Sequence, residues 1–408
     1  MRHVRAPTSS WGSDAQTVDV AVNEHRDRCA IVGIGSTAFT KESGVSDLTL
    51  ALMASRDAIA DAGLRATDID GIVRNDMDLV THNALADALG IADLTYWGMC
   101  GPGGSVPPAM IGQAVAAILS GQATNVLVFR SLNGRSGARY GLGETNRAED
   151  NDGYFSPYGL LVPGQVYAMV AQRHMAEFGT TDEQLGAIAL ECRRRAHANP
   201  NAQMRGRELT IDQYLQGRWL SRPLRLFDYC LETDGACAVV VSSAERAADS
   251  PHPGVLIRAV AQGSGPGVQG GTINPILMRE TYTTWPSAHV ASTLYRRAGL
   301  GPAEIDVAQI YDCFTITTLI QLEDYGFCDK GEGGAFAAGG AIGLDGVLPI
   351  NTGGGHLSEG YIHGMNHVVE GVRQMRGTST SQVNGAETCL VTGGSPPASS
   401  ALILRRAA

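Results

Sequence analysis

The sequence predicts an α/β fold built as two duplicated βα halves with a long insertion in the first. Three observations carry this. Apolar, strand-like runs alternate with helix-length segments, one helix–turn–strand phrase occurs twice, and 44% apolar against 18% charged residues describes a chain with a sizeable core. The body begins at Cys29-Ala-Ile-Val-Gly-Ile-Gly35, an apolar run broken by glycines that suits a buried strand. Ser46-Asp47-Leu48 then opens a helical pattern to Ala62, and Gly63 stands where a helix stop belongs. The phrase Ala62-Gly-Leu-Arg-Ala-Thr-Asp-Ile-Asp70 recurs as Ala298-Gly-Leu-Gly-Pro-Ala-Glu-Ile-Asp306, each copy before an apolar strand. A second echo links Gly121-Gln-Ala-Thr-Asn-Val-Leu-Val128 with Gly385-Ala-Glu-Thr-Cys-Leu-Val-Thr392 in the same order. This alternation points to layers around a mostly parallel sheet. Residues 1–28 are polar and read as an N-terminal extension. Residues 29–250 form the first half, with an insertion at about 131–225 rich in Arg, Asn, Pro and Tyr, and 251–408 form the second.

Composition narrows the function. With 31 basic against 41 acidic residues the net charge is −10, which argues against nucleic acid and anionic membranes as partners. Cys29, Cys100, Cys192, Cys230, Cys237, Cys313, Cys328 and Cys389 are scattered without a C-x-x-C pair, so neither a disulfide framework nor a zinc ribbon is expected. Charges run through the first 28 residues, leaving no apolar signal core, and a cytoplasmic location is expected. The glycine runs at 263–271 and 331–340 lack the strand-GxGxxG-helix context, so no dinucleotide site is expected.

Four segments carry the chemistry: Gly98-Met-Cys-Gly-Pro-Gly-Gly104-Ser105, Tyr311-Asp-Cys-Phe-Thr315, Gly353-Gly-Gly-His-Leu-Ser-Glu-Gly-Tyr361-Ile-His363-Gly364, and Leu390-Val-Thr-Gly-Gly394. His356, His363 and His367, with Glu359 and Glu370, invite a metal reading, but H-x-x-x-H without a third ligand at a recognised spacing is weak, and no metal is expected. Arg193, Arg194, Arg195, Arg205 and Arg207 are either a coenzyme A phosphate contact or a solvated helix face.

From residue 29 onward the order of these segments resembles the thiolase superfamily, with a nucleophile loop, an NEAF or HDCF segment, a GHPxG segment and a late CxGG segment. The resemblance implies a thiolase-like fold, layered α-β-α-β-α, and the reactive residues depart from it. Counting back from Ser120-Gly121 by the family spacing puts Gly104 in place of the nucleophilic cysteine, with Cys100 too early. The CxGG cysteine falls on Val391, beside an out-of-register Cys389, and Tyr311 and Tyr361 replace the Asn or His positions. That pattern is similar to the steroid side-chain-cleaving aldolases of the lipid-transfer-protein type. It implies retro-aldol cleavage of a β-hydroxyacyl-CoA to a ketone and propionyl-CoA or a similar short acyl-CoA. It also implies a homodimer, an accessory protein with an OB-like fold and zinc ribbon, and no permanent cofactor, coenzyme A arriving as part of the substrate.

Such a cleavage needs no covalent carrier, only a base for the β-hydroxyl, enolate stabilisation and an acid for the α-carbon. Tyr311 and Tyr361 supply two phenols, and which is acid and which is base stays open. Tyrosine titrates near pH 10, so either the site lowers one pKa or a phenol relays to a stronger base, His363 and Asp312 being nearest in sequence. The resemblance assigns oxyanion N–H groups to Gly104 and Gly393, and the missing side chain at 104 leaves space for a bulky substrate. Two other readings compete: an acyltransferase-type thiolase using Cys100, Cys313 or Cys389, and a non-catalytic acyl-CoA or lipid carrier.

Overall fold

The computed structural model describes residues 25–137, 151–271 and 274–407, so most of the expected extension and the segment 138–150 of the insertion lie outside the described residues. The first half runs β1 (Cys29–Ser36), α1 (Asp47–Asp61), β2 (Gly71–Asn75), α2 (His82–Leu89), β3 (Tyr96–Cys100), α3 (Pro107–Leu119) and β4 (Val126–Asn133). The insertion follows, with α4 (Pro163–Phe178), α5 (Asp182–Ala198) and a small hairpin of β5 (Trp219–Ser221) and β6 (Leu224–Arg225), before β7 (Asp234–Ser243) returns to the sheet. The second half runs β8 (Val255–Gly263), α6 (Pro286–Ala298), β9 (Val307–Gln309), α7 (Thr315–Asp324), α8 (Met365–Arg376), β10 (Thr388–Ser395) and β11 (Ala398–Arg405).

The duplication is visible in the strand order, β3-β2-β4-β7-β1-β8-β11-β10-β9. About the β1–β8 junction, where Ala30 faces Leu256 and Ile31 faces Val255, the order β2-β4-β7-β1 is mirrored by β9-β10-β11-β8. Each half pairs its first two strands parallel and the rest antiparallel. Both sequence echoes therefore mark equivalent points. The first leads into β2 and β9 after helices stopped by left-handed glycines, Gly63 at φ 70° and Gly299 at φ 66°, and the second leads into β4 and β10. The expectation of a mostly parallel sheet is corrected: the sheet is mixed, with more antiparallel than parallel neighbours. The turn between Ser395 and Ala398 is too short for a crossover, so it can only return β11 antiparallel to β10.

Five layers result. α1 covers the outer face of the first half, capped by the Ser46 hydroxyl accepting from Thr49 N–H and packed through Leu50, Ala51, Ala54, Ala58 and Ile59. The glycines that break the β1 run allow this: a Cβ on Gly33 would lie 2.0 Å from the Ala58 carbonyl, and one on Gly35 2.1 Å from that of Ala54. α6 covers the second half in the same way. Between the two sheet halves lie α3 and α8, each touching strands of both and burying Met110, Ile111, Met365, Val368 and Val369 in one apolar cluster. Asp27, at the end of the expected extension, bonds Arg258 at 2.7 Å and Arg405 at 3.3 Å, so the chain is already pinned to the body there. Among the described residues no helix is long and apolar enough to cross a membrane.

Candidate active site

α3 and α8 begin side by side, and the segments leading into them build the site. The loop from β3 to α3 brings Gly104 in. The segment between β9 and α7 brings Tyr311 and Asp312, and the wide helical turn Gly355–Glu359 with the residues after it brings Tyr361 and His363. Gly364, the residue before α8, would touch Pro107 at the start of α3 if it carried a Cβ, at 3.3 Å.

At the centre the hydroxyls of Tyr311 and Tyr361 are 2.8 Å apart, close enough for one hydrogen bond with either as donor. Tyr311 is 3% exposed and Tyr361 is half-buried. The backbone of Tyr311 is held on both sides: its N–H donates to Thr392 Oγ1 (2.9 Å), and its carbonyl accepts from Gln321 Nε2 (2.7 Å). Tyr361 N–H donates to Thr233 Oγ1 at 3.0 Å. Burial, then the neighbouring Tyr361, pushes the Tyr311 phenol well above its ordinary range, so it is a protonated group at neutral pH.

The space expected to open at Gly104 is filled by Tyr311. A Cβ on Gly104 would lie 1.7 Å from Tyr311 Oη and 2.4 Å from Cζ, so no side chain can stand at 104 with Tyr311 in place. The vacancy left by the missing nucleophile is thus taken up by the phenol, not held open for substrate. Gly393 joins this group, since its Cβ would lie 2.9 Å from the Ser105 carbonyl of the Gly104 loop.

Asp312 and His363 occupy different surroundings from those expected of a base. Asp312 is fully buried; its Oδ1 accepts from His356 N–H (2.8 Å) and faces His367 Nε2 (3.0 Å), while Oδ2 accepts from Leu357 N–H (3.2 Å) and Cys192 Sγ (3.6 Å). Burial alone would raise its pKa, but His356, His367 and the His356 N–H outweigh it and hold the carboxyl below its ordinary range. Asp312 therefore anchors the turn carrying Tyr361, with its acceptor positions filled by protein groups. His363 accepts on Nδ1 from Arg130 Nε at 3.0 Å. The H-x-x-x-H pair is split, because His363 joins Arg130 while His367 joins Asp312 and His356. Sequence reasoning missed Arg130, Asp78 and Cys192, which lie in segments without a motif. It quoted His356 only as a possible metal ligand, although its ring packs 4.7 Å from that of Tyr311 and 5.0 Å from that of Tyr361. Burial pushes the pKa of His356 down to about 3, so it is neutral.

The cysteines invoked for covalent chemistry are poorly suited to it. Burial pushes the thiol of Cys100 up to about 11 and that of Cys313 to about 12, and it also raises that of the fully buried Cys389. Thiols of this kind carry almost no thiolate at neutral pH. The arginine cluster divides too: Arg193 is buried and donates to Ser358 Oγ (2.9 Å), Arg194 and Arg195 pair with Glu191, and Arg205 and Arg207 are exposed.

Comparison with known proteins agrees with this geometry. The thiolase C-terminal domain-like family matches residues 270–406. The chain is 44% identical to 17-hydroxy-3-oxo-4-pregnene-20-carboxyl-CoA lyase of Mycobacterium tuberculosis, over 92% of this chain and 99% of the relative. It is 42% identical to the steroid side-chain-cleaving aldolase of Thermomonospora curvata, over 92% and 97%. The solved Ltp2-ChsH2(DUF35) aldolase superposes with a TM-score of 0.88 at 41% identity, covering 93% of this chain and 98% of that one. Human mitochondrial 3-ketoacyl-CoA thiolase, at TM-score 0.66 and 14% identity over 94% and 100%, shares the fold. The chain belongs to the thiolase superfamily, within its steroid side-chain-cleaving aldolases. It is a carbon–carbon lyase acting on acyl-CoA thioesters.

Glu359 ties this site to the insertion. Its Oε1 accepts from Asn199 Nδ2 and its Oε2 from Asn366 Nδ2, both at 3.0 Å. Burial and Glu370 push its pKa up to about 7. An acid whose folded pKa is raised contributes stability that is complete below its unfolded pKa, near 4.3, and is lost as pH rises through about 7. In Glu359→Gln that loss should vanish. The melting-temperature difference between variant and native protein, followed by calorimetry, should move in the variant's favour from pH 5 to pH 8.

Proposed function

We propose that this enzyme cleaves the side chain of a steroid-type β-hydroxyacyl-CoA by a retro-aldol reaction that passes one proton through the Tyr311–Tyr361 pair. The observation that carries the reading is the 2.8 Å contact between two phenols, one of them standing where thiolases place their nucleophile. A phenolate mechanism is costly here: three pH units below an ordinary tyrosine pKa amount to about 4 kcal/mol, and Tyr311 is raised further. A relay avoids the charge. Tyr361 takes the β-hydroxyl proton as it gives its own to Tyr311, and Tyr311 delivers its own to the α-carbon. In the same concerted shift the substrate C–O bond becomes a carbonyl, and the electron pair of the breaking Cα–Cβ bond, with enolate character developing on the thioester oxygen, forms the new Cα–H bond. Both phenols end as they began.

The adjoining N-termini of α3 and α8 favour the enolate oxygen, since the dipoles of both helices present positive potential there. Gly104 and Gly393 are the backbone positions assigned to hold that oxygen. The Mycobacterium tuberculosis relative supports the substrate class: its named substrate carries a 17-hydroxyl β to a 20-carboxyl-CoA, so cleavage between C17 and C20 yields a 17-ketone and propionyl-CoA.

Mass spectrometry of products from such a thioester tests the reading, the expected pair being ketone and propionyl-CoA. Tyr311→Phe and Tyr361→Phe should each lower kcat by about 10²- to 10⁴-fold while substrate still binds. Because the phenols act as one unit, the double variant should be about as slow as either single one; multiplied losses would instead indicate independent acid and base. Gly104→Ala should cost about 10²-fold or more in kcat, because its Cβ displaces Tyr311 Oη.

The exposed sheet edge supports a homodimer. Among the described residues β3 has no outer neighbour, and it presents Trp97 (58% exposed) and Met99 (49%), with Met77 and Leu79 nearby also exposed. A second copy pairing at this edge would cover them, and Trp97→Glu should yield monomers in sedimentation analysis. The Ltp2-ChsH2(DUF35) relative supports an accessory protein for this chain as well, with the OB-like fold and zinc ribbon inferred above.

A further inference from the structure

Arg130 is a buried cation far from any expected motif. It lies on β4 of the first half with 1% exposure. Its Nη1 donates to Asp78 Oδ1 and to the Ser131 carbonyl, both at 2.7 Å, and its Nε donates to His363 Nδ1 at 3.0 Å across the boundary between the halves. Asp78 also accepts from Ser131 N–H (2.9 Å) and Asn75 N–H (3.0 Å). His363 itself is held in the left-handed region, at φ 51°, uncommon for a residue with a side chain. Its ring stands at 89° to that of Tyr361, with centroids 5.0 Å apart.

A guanidinium has donors and no acceptor, so the nitrogen it meets must be unprotonated. The neutral imidazole then carries its proton on Nε2, and a second proton on Nδ1 would break the bond and set two cations 3.0 Å apart. Replacing a buried ion pair by apolar residues is often neutral or stabilising, so stability alone is a poor reason for this pair. Proton control beside the relay is a better one, because a histidine able to titrate next to Tyr361 would compete for the proton that Tyr361 takes from substrate.

We propose that Arg130 is a positioning residue that locks His363 as the neutral Nε2–H tautomer, making it a hydrogen-bond donor beside Tyr361 and excluding it as a base. The inference rests on the two-phenol reading for its purpose, but not for the protonation state it assigns. Among the described residues, the titratable and charged groups facing His363 include Arg130, with Asp78 behind it, His356 and Tyr361. Burial first, then Arg130 and His356, lower its pKa well below the ordinary value.

The first test reads the imidazole directly. In the native protein, labelled on histidine and assigned with His363→Asn, the His363 resonances should show the Nε2–H tautomer and no titration between pH 5.5 and 8. Titration in that range, or a proton on Nδ1, would overturn the proposal whatever the activity shows. The second test uses Asp78→Asn/Arg130→Met, which removes both charges of the Arg130–Asp78 pair together. Its kcat should acquire an acid limb, falling about tenfold for each pH unit below about 6.5, a limb absent from the native profile. Adding His363→Asn should remove it. An unchanged profile in the folded double variant, or a limb that survives His363→Asn, would refute the role of Arg130. If the double variant fails to fold, the native-protein spectrum still decides. Failure of the phenol reading would appear separately, as unchanged kcat in both tyrosine variants with His363 still locked.

Discussion

The contact between Tyr311 and residue 104 is the constraint on which the site depends. Tyr311 Oη occupies the point where a Cβ at 104 would begin, and from that point it reaches Tyr361. Glycine at 104 is therefore a steric requirement of the phenol. Gly364 plays the matching part on another side, where a Cβ would meet Tyr311 Cδ2 at 3.3 Å. Around the ring, Thr392 and Gln321 hold the Tyr311 backbone, and Asp312 holds the turn that delivers its partner. The pair is thus built into β9, β10 and the two central helices, which gives two hydroxyls the fixed spacing a proton transfer needs.

The duplicated architecture explains why the site is single and lies where it does. Each half sends one helix into the central layer, and the two helices start from neighbouring points. One half supplies the glycine loop and the other the tyrosines, so neither half contains a complete site. Arg130 and His363 form a polar link between them, and Asp27 bridges β8 and β11 from the head of the chain. The apolar cluster of Met110, Ile111, Met365 and Val368 is shared in the same way. The site is consequently complete only where the two halves are docked.

Much of this was legible in the sequence. Both internal echoes fall on equivalent strands, and the register from Ser120-Gly121 places Gly104 against the tyrosines. Other features were not. Strand direction was misread because it depends on connections, such as the Ser395–Ala398 turn, that period and composition do not encode. The space at Gly104 was misread because only three-dimensional packing shows what fills a missing side chain. Asp312 and His363 stand beside the two tyrosines in sequence, yet one bonds His367 and the other Arg130, partners 55 and 233 residues away. Arg130 and Asp78 carry no local pattern at all, since an isolated charge in a strand or loop reads as surface.

The insertion is stitched to the turn that carries Tyr361. Gln203 and Met204 N–H groups donate to the carbonyls of Glu359 and Ser358, Arg193 donates to the Ser358 hydroxyl, and Asn199 donates to Glu359 and to the Gly353 carbonyl. A segment attached in this way does not move as an independent lid, because lifting it pulls on the backbone at Glu359, two residues from Tyr361.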